Sequence, residues 1–198
     1  MTKVTCDMAM SVDGFVAGPN QRLDVPLGDG AEERLHRWMF ERAEANAAEI
    51  EAIVGAGAYI MGRNMFASGR GAWDLEWKGW WGDDPPYHAP VFVLTHHPRE
   101  PVPMQGGTTF HFVTDGIESA LERAREAAGD ARVAIAGGAA TVNQYLVLGA
   151  IDELRLHVAP AVLSEGERLF EGVGNLDLEC VSVRGSDLVT HLTYRVVR

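Results

Sequence analysis

Val133-Ala134-Ile135-Ala136-Gly137-Gly138-Ala139-Ala140-Thr141-Val142 is the stretch on which the rest of the chain turns. It opens as a short apolar run with two β-branched side chains, the mark of a buried strand. The run stops at two glycines, after which Val142, Tyr145, Leu146 and Gly149 take up helical spacing. Strand, glycine turn and helix follow one another. Two adjacent residues without Cβ atoms let a flat ligand or a phosphate lie against bare main chain, beside the N–H groups that open the helix. A tight βα turn built of glycine for steric reasons has the same sequence, so the surroundings must decide between the two.

Length and charge narrow the surroundings. A chain of 198 residues suits one domain, spanning 1–198, with a substantial core. Its formal charge of -11 and pI near 5.0 argue against nucleic acid or an acidic membrane as partner, since either wants surplus Lys and Arg. An anionic ligand would have to be held by a few local cations. Cys6 and Cys180 lie far apart, with no CxxC pair and no histidine cluster at metal spacing, so neither a disulfide framework nor a metal site is expected. No charged-then-apolar leader opens the chain and no apolar run is long enough to span a bilayer, which predicts a cytoplasmic protein.

In chain order, Val4, Cys6, Met8 and Met10 alternate with Thr5, Asp7 and Ala9, the period of a strand. Ser11 to Asn20 is a glycine-rich segment able to fold over a pocket as a flap. From Ala31 to Val54 the apolar positions keep helical spacing, with Glu32 and Glu33 at the positive end, predicting one long amphipathic helix. Ala58-Tyr59-Ile60-Met61 is a further strand, followed directly by Gly62-Arg63. A guanidinium at that junction either offers its planar fork to a phosphate or solvates a turn. Trp73, Trp77, Trp80 and Trp81 crowd the next loop, covering a core edge or a subunit contact, with one of them able to line a ligand pocket. Val91 to Thr95 is a strand running into His96-His97-Pro98-Arg99, a second possible phosphate grip. Neighbouring strand residues face opposite ways, which argues against the two histidines as joint metal ligands. Thr109 to Val113 is a strand, and Asp115 with Glu118 predicts a capping box for a helix over 117–128 closed by Gly129. Strands over 152–159, 178–184 and 188–197 finish the chain, the last two joined by a hairpin turn at Gly185-Ser186-Asp187.

Read together, Ser11-Val12-Asp13-Gly14, Met61-Gly62-Arg63, Leu94-Thr95 before Pro98, Ala136-Gly137-Gly138, Ile151-Asp152-Glu153-Leu154, Pro160 and Gly166 to Leu169-Phe170 resemble the dihydrofolate reductase family. The resemblance covers nearly the whole chain and is closest to the branch holding the reductase domain of bacterial riboflavin biosynthesis, the RibD C-terminal domain. It implies an α/β fold with a mixed, mostly parallel sheet of about eight strands, flanking helices and a C-terminal antiparallel hairpin. It also implies NADPH as hydride donor, a heterocyclic substrate against the nicotinamide, and a homodimer.

Position by position, the resemblance assigns the main chains of Ala9 and Val16 to the nicotinamide carboxamide. Gly62, Arg63, Thr95 and His96 fall at the 2′-phosphate and adenosine end. Gly137 and Gly138, joined by a cis peptide, form the close backbone approach, and Ala139, Ala140 and Thr141 supply donors to the pyrophosphate. Trp38 and Met39 stand on the substrate wall. Two departures follow. Dihydrofolate reductases carry an acid about sixteen positions before the Gly-Arg pair to anchor the pterin, and that count lands here on Asn46, with Glu44 and Glu49 expected to face elsewhere. Met65 replaces a common hydroxyl. Asp13 then becomes the catalytic candidate, its alternative being an Asp that shapes the turn before Gly14. Three functions are consistent with the chain: an NADPH-dependent reductase of a pyrimidine or pterin-like ring, a relative that binds without turnover, and an interaction protein using its tryptophan loop.

Overall fold

A computed structural model describes residues 2–69 and 71–197. Among these, β1 (Val4–Ser11) and β2 (Phe15–Ala17) are followed by α1 (Glu32–Leu35), α2 (Arg37–Glu41), a 3-10 turn (Glu44–Asn46) and α3 (Ala47–Val54). Next come β3 (Ala58–Gly62), α4 (Arg63–Phe66), β4 (Pro90–Leu94), β5 (Val102–Pro103), β6 (Thr109–Val113) and α5 (Ile117–Ala128). β7 (Val133–Gly137), α6 (Ala139–Val147), β8 (Glu153–Ala159), β9 (Glu167–Arg168), β10 (Leu178–Gly185) and β11 (Thr190–Val196) complete the order.

The described residues form a nine-stranded sheet ordered β10-β11-β8-β1-β7-β3-β4-β6-β5, with β2 and β9 as a separate pair. Strands β8, β1, β7, β3, β4 and β6 run parallel, while β11, β10 and β5 are antiparallel to their neighbours. The mixed, mostly parallel sheet with a terminal antiparallel hairpin is the expected dihydrofolate reductase-like architecture, one strand larger because the short β5 lies on an edge. β2 and β9 give no signal in sequence: two or three residues are too few to show a period.

Both faces of β1 are covered, which explains its burial along nearly the whole length. Val4, Cys6, Met8 and Met10 pack with Val142, Tyr145 and Leu146 of α6 and with Ala120, Leu121 and Ala124 of α5. Each large apolar side chain removed from water there contributes about 2 kcal/mol. α5 matches its expected span: it carries Glu118 in its first turn, and Gly129 closes it at φ +57° with its N–H bonded to Arg125 O. The capping box does not form. Gly116 occupies the N-cap, and the Asp115 carboxylate accepts instead from Ser119 Oγ at 2.8 Å and from Arg123 at 2.7 Å.

The single helix expected over 31–54 is also corrected. Backbone angles leave the helical region at His36, Arg42 and Asn46, giving α1, α2, a 3-10 turn and α3. The fully buried Asn46 side chain takes Trp38 O at 3.1 Å and Arg42 O at 2.8 Å, competing for carbonyls near the break. Trp38 in turn is buried against His157 and His191 of the sheet. Apolar spacing reports which face is buried, and this face follows a bend that periodicity alone does not register.

Candidate active site

The strand, glycine turn and helix anticipated over 133–142 are β7, Gly137-Gly138 and α6, and the Gly137–Gly138 peptide is cis. Gly137 has φ +121°, where a side chain is strained, and Met8 Sδ and Met65 Sδ would lie 3.6 and 3.9 Å from an added Cβ. Gly138 differs: its φ is -76° and an added Cβ would meet nothing within 4 Å. No packing within the protein requires a bare Cα at 138. Beside it the first turn of α6 presents its opening amides, the orphan donors of any helix start. The N–H groups of Thr141 and Val142 both bond to Gly138 O at 3.1 Å, and those of Ala139 and Ala140, the first two of α6, precede any bond of the helix's own repeat.

The junction of β3 and α4 meets this turn. A Cβ on Gly62 would collide with the Thr141 hydroxyl, so the two elements touch through a glycine. One residue on, the Arg63 guanidinium lies 3.9 Å from the centroid of Trp73. Its Nη2 makes a long contact of 3.5 Å to Ala72 O, while Nε and Nη1 are buried without a hydrogen-bond partner. Desolvation lowers its pKa, the sign of a cation held partly out of water. Trp73 Nε1 donates to His97 O at 2.7 Å, tying this shelf to the loop after β4. In that loop Thr95 is buried and its hydroxyl accepts from His97 N–H at 3.1 Å, while His96 is exposed. Arg99 closes the far side, donating to Leu75 O and Trp77 O at 2.9 and 2.8 Å, with Nη1 buried and unpartnered. The structure thus brings Gly62, Arg63, Thr95, Gly137, Gly138 and the start of α6 together. The sequence offers one of the loop tryptophans for a pocket without saying which; the structure picks out Trp73, ten positions after Arg63 in a loop with no period, as the ring under the guanidinium.

The flap is pinned rather than loose. Ser11 Oγ accepts from Phe15 N–H at 3.0 Å, and Gly14, at φ +89°, closes a turn onto Ser11 O. Asp13 accepts from the amides of Leu163 and Ser164 at 3.1 and 2.8 Å. The Ser11 hydroxyl above all, then those two amides, hold its carboxyl at about 2. A carboxylate engaged on both oxygens and ionised at neutral pH is a poor proton donor. Its geometry is that of the alternative role, an Asp that shapes the turn, and this corrects the expectation of Asp13 as the catalytic acid. Arg168 stacks 4.3 Å from the Phe15 centroid and donates to Asp13 O, while β2, holding Val16, pairs with β9. Asn143 of α6 accepts from Phe170 N–H at 2.9 Å, so the same segment braces the flap and the helix that follows the glycines.

On the opposite sheet face Ala9 packs near Leu35 and Ala159 and stands in register with His157. Trp38 is fully buried over His157 and His191, and Met39 is half-buried. Asn46 and Glu49 bond to Arg184 and so face β10. Trp73, Trp77 and Trp81 pack on the Tyr59, Phe66 and Phe110 cluster, covering a core edge. Among the described residues no group of three potential ligands is placed to hold a metal, and no helix is long and apolar enough to cross a membrane.

A family model described as the RibD C-terminal domain matches residues 2–192. The uncharacterized protein YyaP of Bacillus subtilis (strain 168) is 23% identical over 193 residues, covering 92% of this chain and 88% of its own. Two solved structures share the fold. A Shewanella sp. PV-4 protein assigned by name to riboflavin biosynthesis superposes with a TM-score of 0.69 at 23% identity over 100% of both chains. The Thermotoga maritima deaminase/5-amino-6-(5-phosphoribosylamino)uracil reductase gives 0.61 at 16% identity, over 99% of this chain and 57% of its own.

Proposed function

The chain belongs to the RibD C-terminal domain family, and from that premise we propose that it is an NADPH-dependent reductase of a small conjugated heterocycle, a pyrimidine or pterin-like ring such as the aminouracil named for the Thermotoga maritima relative. The observation that carries the reading is Arg63. A guanidinium flat on Trp73, with two N–H-bearing nitrogens buried and unpartnered, is a cation prepared for an anion, and it lies beside a glycine that the protein's own packing does not require.

When bound, the dinucleotide supplies the hydride. The chain binds, orients and excludes water. Arg63, with Thr95 and His96, takes the 2′-phosphate end. Gly138 and the amides of Ala139 and Ala140 take the pyrophosphate at a helix start, while Thr141, buried against Gly62, sets the spacing between the two sites. The main chains of Ala9 and Val16 hold the carboxamide, and Asp13 keeps the flap in place over it. Trp38 and Met39 bound the substrate side. The protein acts as a homodimer.

A fluorescence titration of wild type and Arg63→Ala with NADPH and NADH tests this. Wild type should saturate with a preference for NADPH, and the variant should lose that preference with a drop of about 10- to 100-fold, the worth of a charged hydrogen-bonding group. No saturable binding by wild type at millimolar NADPH overturns the proposal. The engagement of Asp13 by the amides of Leu163 and Ser164 favours a second reading, a relative that binds the dinucleotide without turnover. NADPH consumption across a panel of pterins and pyrimidinediones separates the two.

A further inference from the structure

A hydride added to a C=N or C=O bond must be matched by a proton, and the amides of Leu163 and Ser164 that engage Asp13 leave that carboxylate a poor source of it. The sheet face opposite α6 holds a buried polar array that the reading above does not use: Asp7 on β1, Arg155 and His157 on β8, His191 on β11 and Asn46 before α3. Its hydrogen bonds fix where the protons are. Asn46 Nδ2 donates to Trp38 O and Arg42 O, and Asn46 Oδ1 accepts from Arg184 Nη2 at 2.9 Å, so the amide has one orientation. His191 Nε2 lies 3.0 Å from that same oxygen. An amide oxygen only accepts, and His191 therefore carries a proton on Nε2. Burial, and then the neighbouring His157, lower the His191 pKa to about 4, so the ring is neutral and its Nδ1 is an acceptor.

His157 Nδ1 lies 2.8 Å from His191 Nδ1 and must be the donor. That leaves His157 Nε2, which is buried, makes no hydrogen bond, and faces Asp7 Oδ1 at 3.5 Å. Arg155 sits 2.9 Å from the other Asp7 oxygen, so the buried carboxylate has a guanidinium beside it. A bare ring nitrogen would set a lone pair against a buried negative charge, whereas a protonated one completes an ion pair. The other titratable groups around the pair are Arg132, Tyr59, Cys6 and Glu153 on the Asp7 and Arg155 side, His36 beside His157, and Glu49 with Arg184 beyond Asn46.

We propose that His157 is a buried imidazolium, locked by Asp7 on one nitrogen and by the His191–Asn46 pair on the other, and that it is the proton donor of the reduction. The role rests on the reductase reading. Its position fits: His157 is the register partner of Ala9, whose main chain the reading above gives to the carboxamide, and Asp7 stands two residues before Ala9 on the same face of β1. Trp38, on the substrate wall, covers the ring with centroids 4.9 Å apart. Trp38 Nε1 and His36 Nδ1 are buried without partners there, polar atoms that the edge of a heterocycle would satisfy. In the step, the substrate carbon gains the hydride as NADPH is oxidised to NADP+. The π electron pair moves onto the neighbouring nitrogen or oxygen, which takes the proton from His157 Nε2. His157 is left as neutral imidazole and regains a proton from solvent.

Long-range proton–nitrogen NMR of histidine-labelled wild type reads the charge state without any variant. At pH 7 His191 should appear as a neutral ring protonated on Nε2 and His157 with both nitrogens protonated; a neutral His157 overturns the proposal. Turnover is then followed as NADPH oxidation with dihydrofolate and with 5-amino-6-(5-phosphoribosylamino)uracil. His157→Gln should lower kcat about 100-fold or more and abolish the pH dependence of kcat, with KM and the NADPH titration close to wild type. A variant that keeps kcat within twofold and retains the wild-type pH profile overturns the inference and leaves the reductase reading standing. Wild type that binds NADPH but oxidises it with neither compound removes the reductase reading, and this role with it.

Discussion

Gly137 and Gly138 are adjacent and identical in sequence, yet their surroundings separate them. At φ +121° Gly137 is required by the backbone itself, so Gly137→Ala should cost about 1–3 kcal/mol. Calorimetry or a denaturant melt would read this as a lower Tm. At Gly138 the protein leaves free space and φ is ordinary, so Gly138→Ala should change the Tm little. Its effect should fall on the ligand, with NADPH affinity lowered about tenfold or more by a methyl group set into the cradle. Equal loss of stability in the two variants would show that both glycines serve packing. Asp13 teaches the same lesson from the other direction. It lies within the flap, but two amides and a hydroxyl have already engaged its charge.

At the scale of elements, the α1–α3 segment is held to the sheet by a polar array rather than by apolar contact alone. Trp38 lies on His157 and His191, and Asn46 bonds both to carbonyls of its own segment and to β10 and β11. Burial lowers the His36 pKa to about 4 as it does that of His191, with the charge of His157 adding to both. A histidine depressed in the folded state binds fewer protons than the unfolded chain between pH 6.5 and 4. The contribution of these two residues should therefore be full above about 6.5 and fall steadily as pH drops toward 4. Thermal melts across that window check the sign, and Asn46→Ala, which removes the acceptor for His191 and Arg184, should lower stability by about 2 kcal/mol at pH 7. A Tm that rises on acidification would contradict the protonation states assigned here.

At the scale of the molecule, β10 ends the large sheet with Val181 and Val183 exposed, and the homodimer proposed above should bury such an edge. Sedimentation giving only monomer at micromolar concentration would refute it. Saturating NADPH should raise the Tm through linkage, by about 2.7 kcal/mol of stability at a hundred times Kd. How far the sequence reached depended on the range of the force involved. The β7–α6 unit, the span of α5, the terminal hairpin and the glycine pair were all legible, because apolar period, turn chemistry and the absence of a Cβ act over a few neighbouring residues. The breaks at His36 and Asn46, the Trp73 shelf beneath Arg63, the engagement of Asp13 by Leu163 and Ser164, and the proton order running from Asn46 to Asp7 were decided by tertiary structure. Each depends on a polar or aromatic contact that no local period registers, and only folding fixes which donor meets which acceptor once water has been removed from between them.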